Sequence, residues 1–277
     1  MRIAVIPNFK AAGGGELLAA VCATLERLGA QLLLPPENDP FPSDKTDEII
    51  AACDITVALG GDGTIMHTAK HAAQFGRPVL GINGGRLGFL AGLEADELDG
   101  LSDMIEGRYT VEHRMLLDVR LSSPEGERRF LAMNEAVVSR GSLSRLIDLD
   151  VYNRDEPVMQ YRADGVIAAT PTGSTAYSMS AGGPIVDPAV GCLLLTPICP
   201  HSLYSRSYIF QPDARLKIQP HLTGGAKVYL TADGEEGAEV SDGDAVLVSR
   251  SPEDARLIKL KQTSFYNVLS QKLINRR

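Results

Sequence analysis

The chain lacks any apolar run approaching the roughly 18 residues of a membrane span, and Met1 to Pro7 reads as a β-strand rather than a secretion signal. No membrane partner is expected, and a cytoplasmic location is. Positive charge is also short: 27 Lys and Arg stand against 35 Asp and Glu, for a net charge of −8. A broad nucleic-acid surface needs clustered cations to neutralise phosphates, so no nucleic-acid partner is expected. An anionic small molecule stays open, because a few local groups suffice to bind one. Cysteine is scarce too. Cys22, Cys53, Cys192 and Cys199 lie in apolar segments without the close paired spacing of a zinc site or redox pair, so buried free thiols are expected. Cys199-Pro200-His201 offers two ligand types one residue apart with no second pair, and no metal site is assigned there. Fixed-period repeats and low-complexity tracts are missing, and the clearest irregular loop is 35–43, with four prolines.

What is present is an ordinary folding composition, 44% apolar and 22% charged over 277 residues, enough for one large unit or two compact ones. The first hundred residues alternate strand-like and helix-like segments: strands at 2–7, 31–34, 54–59 and 78–82, helices at 16–28, 44–52 and 65–75. That alternation predicts an α/β layer with a mostly parallel sheet. From about Tyr109 the pattern changes. Leu117, Val119 and Leu121 alternate with Leu116, Asp118 and Arg120, a polar turn spans 122–127, and a second strand is expected over 128–138. Further β-like runs at 146–152, 166–169, 193–198, 216–218, 227–231 and 245–248 make the second unit mainly β, with a sandwich-like domain expected.

The strongest local feature is Gly60-Gly61-Asp62-Gly63-Thr64, between an apolar strand and a helical stretch. Glycines permit close approach, and the free N–H groups and positive dipole end of the following helix favour an anion such as phosphate. Asp62 sets a negative charge in the same place. That is costly beside phosphate unless the carboxylate handles a proton or a magnesium ion, so Asp62 is the candidate catalytic residue. Taken alone, the pentapeptide also fits a tight turn with an aspartate capping the helix. No Gly-x-Gly-x-x-Gly opens the first helix, where Gly13-Gly14-Gly15 reads as a turn. A second cluster, Asn83-Gly84-Gly85-Arg86-Leu87-Gly88-Phe89-Leu90, follows the next strand, so its loop should open on the same sheet edge. Arg86 is there a candidate phosphate ligand, and Phe89 is either core or ligand wall.

A third stretch, Asp164-Gly165 and then Thr170 to Pro184 after a strand, is dense in small hydrogen-bonding groups. Such groups bind ribose, amide or phosphate, and Tyr177 can stack a planar base. Asn134-Glu135 interrupts the apolar run 130–138, so one of the pair must point inward or into a cleft.

The ordered set 60–64, 83–90, Asn134-Glu135, Asp164-Gly165 and 170–177 resembles the NAD kinase family over almost the whole chain, and the segments 197–203 and 264–269 are similar to family segments. The Gly-Gly-Asp-Gly motif is shared with lipid kinases and phosphofructokinases; the 170–177 stretch is not. Lipid kinases usually carry Asn-Glu soon after the first motif, where this chain has Ile65-Met66-His67-Thr68. The resemblance implies an N-terminal α/β domain (1–110), a β-rich NAD-binding domain (111–251), a tail (about 252–277) that returns to the first domain, and a site between the domains. It implies transfer of the ATP γ-phosphoryl group to the adenosine ribose of NAD, with a divalent cation, magnesium, and a homodimer or homotetramer. By the same resemblance Gly60, Gly61, Gly63 and Thr64 bind phosphate, Asp62 activates the ribose hydroxyl, and Asn134 and Glu135 hold the adenosine. Thr175, Ala176, Tyr177 and Ser180 line its pocket, Asp164 contacts the nicotinamide end, and Phe89 and Arg162 lie near the nucleotide. One departure is Asp233-Gly234-Glu235, where many relatives carry glutamine third. A nucleotide sensor without turnover is the non-enzymatic alternative, against which the carboxylate of Asp62 counts.

Overall fold

The computed structural model describes the whole chain except residues 9–13, 37–41, 86–87, 142–144, 203, 223–225, 236, 262–263 and 275–277. The chain forms two compact units, one from Met1–Arg114 with Glu253–Arg277 and one from Met115–Pro252.

The first unit begins with β1 (Arg2–Pro7), α1 (Gly14–Arg27), β2 (Gln31–Leu33), α2 (Asp44–Ala52), β3 (Ile55–Leu59), α3 (Asp62–Gln74), β4 (Pro78–Asn83), β5 (Leu93–Glu94) and α4 (Leu101–Ile105). Its strands run parallel in the order β2-β1-β3-β4, with Ile3 opposite Ile55 and Val57 opposite Leu80, and β5 also pairs with β4. Parallel strands are covered on both faces, which is why β3 is buried at all five positions and reads as an unbroken apolar run. Helix α2 starts where a cap residue stands: Ser43 accepts the N–H of Thr46. The chain leaves β1 to one side and returns to pair β3 on the other, so the loops after β1 and β3 flank a topological switch point, where α/β sheets open a crevice.

The second unit holds most of β6 (Thr110–Ser123), then β7 (Gly126–Ala132), β8 (Glu135–Arg140), β9 (Ile147–Asn153), β10 (Glu156–Ala163), β11 (Gly165–Ala169), the short helix α5 (Tyr177–Ser180), β12 (Leu193–Ile198), β13 (Tyr208–Phe210), β14 (Arg215–His221), β15 (Val228–Ala232), β16 (Ala238–Val240) and the first part of β17 (Ala245–Lys259). One antiparallel layer runs β10-β9-β14-β17 and the other β13-β12-β11-β8-β15-β16. Leu149, Val151, Leu216 and Ile218 of the first layer share a core with Val138, Val166, Leu195 and Leu230 of the second, a sandwich. The alternate residues Val137, Ile167 and Leu194 face the other way into a smaller core under Val186. In the first unit, Arg256 and Leu257 of β17 pair in parallel with β4, and α6 (Phe265–Ile274) follows.

Three expectations change. The single strand expected over 128–138 is two, because β7 ends at Ala132 and β8, in another layer, begins at Glu135. The polar pair Asn134-Glu135 marks that corner rather than the middle of a strand. The helix expected from Ile65 begins at Asp62. Cys53 and Cys192 are buried free thiols, but Cys22 is half-buried and Cys199 is exposed, at a φ of 44°. Most of the proline-rich loop lies outside the described residues, as do Gly13 and Arg86. Among the described residues no helix is long and apolar enough to cross a membrane.

Candidate active site

In the first unit the glycine loop leaves β3 at Gly60 and enters α3 at Asp62, with Gly61 as N-cap and no side chain capping the helix. The first-turn N–H groups of an α-helix have no intrahelical acceptor, so Asp62, Gly63 and Thr64 begin a phosphate-receptive turn. Asp62 does not cap its own helix. Its carboxylate turns to the second glycine cluster, taking the N–H of Phe89 on Oδ2 at 3.0 Å and that of Leu90 on Oδ1 at 3.1 Å. Gly88 makes this approach sterically feasible, since a Cβ there would lie 2.4 Å from Asp62 Oδ1. The two glycine loops therefore open on one sheet edge, as the topology predicts.

Asn83 of the second cluster, and residues outside both motifs, hold these loops. Asn8, at the end of β1, donates to Thr64 Oγ1 at 3.1 Å across the switch point. Asn83 donates to Glu94 at 2.9 Å, and burial pushes the Glu94 carboxyl above its ordinary range. Lys259 donates to the carbonyls of Leu90 and Ala91 at 3.3 and 3.0 Å, and its own burial pulls its pKa down. Leu90 is thereby held from both sides, its N–H on Asp62 and its carbonyl on Lys259. Lys272 of α6 donates to Asp62 Oδ2 at 2.9 Å.

In the second unit the corner after β7 brings Asn134 and Glu135 to the turn that follows β11. Thr170 donates its hydroxyl to the Met133 carbonyl at 2.6 Å and its N–H to that of Asn134 at 2.9 Å. Much of the hydroxyl-rich stretch is used internally: Ser174 exchanges hydrogen bonds with the Val186 backbone at 3.1 and 3.0 Å, and Ser178 pairs with Thr196 at 2.9 Å. Thr170, Thr172, Ser174 and Ser178 are buried, whereas Thr175 and Ala176 are half-buried and Tyr177 and Ser180 exposed. The accessible positions of the stretch include the four that the family resemblance picks out, with Met179, Ala181 and Gly182 beside them.

Glu135 is 7% exposed, accepts the N–H of Tyr177, and leaves Oε2 buried with no partner. Burial, then the charge of Asp233, pushes its carboxyl up to about 7. Asp233, at a φ of 52°, receives the N–H groups of Met133, Asn134 and Glu135 at 2.8, 2.7 and 3.1 Å. Nothing local in the sequence singles it out for that task.

Arg162 and Asp164 do not join this group. Glu135 sits opposite Ala169, while Ser139 sits opposite Gly165, so Asp164 is at the other end of the β8–β11 pair. Four residues of strand put roughly 13 Å between the two ends. Asp164 forms an ion pair with Arg140 at 2.5 Å, and Arg162 is exposed, its carbonyl accepting the N–H of His201.

A carboxylate inside a phosphate-receptive turn of a parallel α/β unit is the arrangement of a phosphotransferase, and the second unit by itself presents a buried carboxyl with one unpartnered oxygen beside small polar groups. The chain matches the ATP-NAD kinase N-terminal domain over residues 33–109 and the ATP-NAD kinase C-terminal domain over residues 133–260. It belongs to the NAD kinase family. It is 42% identical to the NAD kinase of Symbiobacterium thermophilum over 97% of this chain and 92% of that one. The NAD kinase of Caldanaerobacter subterraneus subsp. tengcongensis is 44% identical over 84% of this chain and 82% of its own. Among solved structures, yeast NADH kinase complexed with NADH superposes with a TM-score of 0.88 at 26% identity, covering 99% of this chain and 87% of that one. An NAD kinase from Archaeoglobus fulgidus in complex with ATP gives 0.77 at 28% identity, covering 98% of both chains.

Proposed function

We propose that the chain transfers the γ-phosphoryl group of ATP to the 2′-hydroxyl of the adenosine ribose of NAD, giving NADP and ADP, with Asp62 as the base. The observation that carries this reading is the place of Asp62, a carboxylate oriented by two backbone N–H groups at the mouth of a helix built to receive phosphate. In the transfer the ribose oxygen bonds to the γ-phosphorus, the bond from that phosphorus to the β–γ bridging oxygen breaks with its electron pair leaving on ADP, and the hydroxyl proton passes to Asp62. No phosphoenzyme forms. Gly60, Gly61, Gly63 and Thr64 cradle the donor's phosphates, and Phe89 borders the nucleotide.

Asn134 and Glu135 hold the adenosine, and the orphaned Oε2 of Glu135 supports this role, because a ribose hydroxyl would satisfy it. Thr175, Ala176, Tyr177 and Ser180 line that pocket, Asp164 contacts the nicotinamide end, and Arg162 lies near the nucleotide. Among the described residues no group of three or more His, Cys, Asp or Glu is placed to cage a metal. A magnesium ion carried in on ATP would neutralise the triphosphate, and Asp62 is the carboxylate of the glycine loop that would help to hold it. We assign the enzyme to the cytoplasm as a homodimer or homotetramer. The exposed side chains of Tyr204 and Ile209 support contacts with a second copy.

The test is product identification. Pure protein with magnesium-ATP and NAD, NADH or diacylglycerol should yield NADP from NAD. A lipid product, or ATP and NAD unchanged while both bind, overturns the reading.

A further inference from the structure

A carboxylate and a triphosphate repel each other, and the glycine loop of the first unit asks them to share one turn. The same unit carries the cation that offsets this. Helix α6 presents Phe265, Val268 and Lys272 on one face, at spacings of three and four residues. The Phe265 ring lies 6.2 Å from that of Phe89, and Val268 is buried, so the face is docked against the second glycine loop. Docking carries the Lys272 ammonium to 4.0 Å from the centre of the Phe89 ring and 2.9 Å from Asp62 Oδ2. The side chains of Lys272 and Asp62 are 23% and 33% exposed, so the pair stays open to an incoming substrate.

We propose that Lys272 is a further catalytic residue of this reaction, whose ammonium covers Asp62 at rest and contacts the transferring phosphoryl group of ATP during turnover. The proposal rests on the phosphotransferase reading above. An ammonium has three N–H donors, and the Asp62 contact uses one of them. The donors that remain suit the equatorial oxygens of the γ-phosphoryl group, where charge collects as the bond to ADP breaks. As Lys272 follows that charge, Asp62 Oδ2 is uncovered to take the hydroxyl proton. The other lysine of this region, Lys259, is tied to the carbonyls of Leu90 and Ala91 and serves the loop instead.

The experiment is steady-state kinetics of the full chain and the variants Lys272→Met, Lys272→Gln and Lys272→Arg, with thermal melting of each. The expected result is a kcat lower by about 10² to 10³ for Met and Gln, the usual effect of losing one charge-stabilising donor. The melting temperature, the KM for NAD and the inhibition constant of ADP should stay near the parent's, since ADP lacks the group that Lys272 contacts. Arg should recover at least about tenfold of the lost rate. Leu273→Ala, on the exposed side of the same helix, should turn over like the parent. A Met or Gln variant within about threefold of the parent overturns the proposal, and so does a loss of rate matched by weaker ADP binding in both. Parent enzyme that makes no NADP removes the phosphotransferase reading and this inference with it; active parent with active Met and Gln variants removes this inference alone.

Discussion

Asp233 Oδ1 accepts the N–H of Asn134 at 2.7 Å, and the same carboxylate takes the N–H groups on either side of it, so the corner carrying Asn134 and Glu135 is held by one side chain from a distant turn. Asp233→Ala would strand three backbone donors. A loss of about 2–4 kcal/mol is expected, together with a raised KM for NAD and a smaller change in the KM for ATP. Urea unfolding and initial rates check this, and an Ala variant as stable as the parent would show that water replaces the carboxylate.

Glu135 gives a signed pH prediction. Its carboxyl titrates near 7 in the folded chain against an ordinary 4.5, because burial and the charge of Asp233 disfavour ionisation. The folded state therefore holds a proton that the unfolded state has released between those two pH values, and stability contributed by this group is full below about 4.5 and is lost as pH rises through about 7. The shift corresponds to about 3 kcal/mol at 1.36 kcal/mol per unit. Glu135→Gln should remove that fall, leaving the variant the more stable of the two above pH 7.5. Unfolding curves for the two proteins that stay parallel from pH 4.5 to 7.5 would be inconsistent with the buried-acid assignment.

For Asp62→Asn, the loss of a proton acceptor at nearly constant shape should lower kcat by about 10² to 10⁴ with the KM for NAD little changed. Excess chelator should abolish parent activity and magnesium should restore it, since two polyanions need a cation between them. Partial rescue of the Asn variant by high magnesium, with weakened ATP binding, would move Asp62 from proton transfer to cation binding. Turnover within about threefold of the parent would remove it from both.

The α/β half was legible because its physics is local. Strand β3 is buried at every position and so reads as an apolar run, Ser43 caps α2 where the helix was expected to start, and the glycine loop sits directly at a strand-to-helix junction. The β half was less so. In β10 only Tyr161 and Ala163 are buried, so no alternation marks the strand, and the run 128–138 hides a change of layer that only Asn134-Glu135 betrays. The partners of the candidate residues were the least legible, because Lys272 reaches Asp62 across 210 residues and Asp233 reaches Asn134 across 99. No periodicity or motif encodes such a contact; the polar residue at the third position of the Phe265–Val268 face was the one available hint.

Gly88 tests whether the orientation of Asp62, as distinct from its chemistry, sets the rate. An alanine Cβ at this position would stand 2.4 Å from Asp62 Oδ1 and 3.3 Å from its carboxyl carbon, too close for either to remain. The carboxylate must turn away or the loop must lift, and either movement breaks the hydrogen bonds from Phe89 and Leu90. The cost to the fold should be modest, about 1–3 kcal/mol, because Gly88 is half-exposed and the strain is confined to one side chain and one loop. The cost to turnover should be larger, since a displacement of about 1 Å at a reacting group can lower a rate by about 10². Gly88→Ala is therefore expected to melt within a few degrees of the parent while losing about 10² in kcat, with the KM for NAD nearly unchanged. A variant that turns over normally would mean that the two N–H groups over Asp62 do not orient it for the reaction, and the backbone contacts at 3.0 and 3.1 Å would then be structural only.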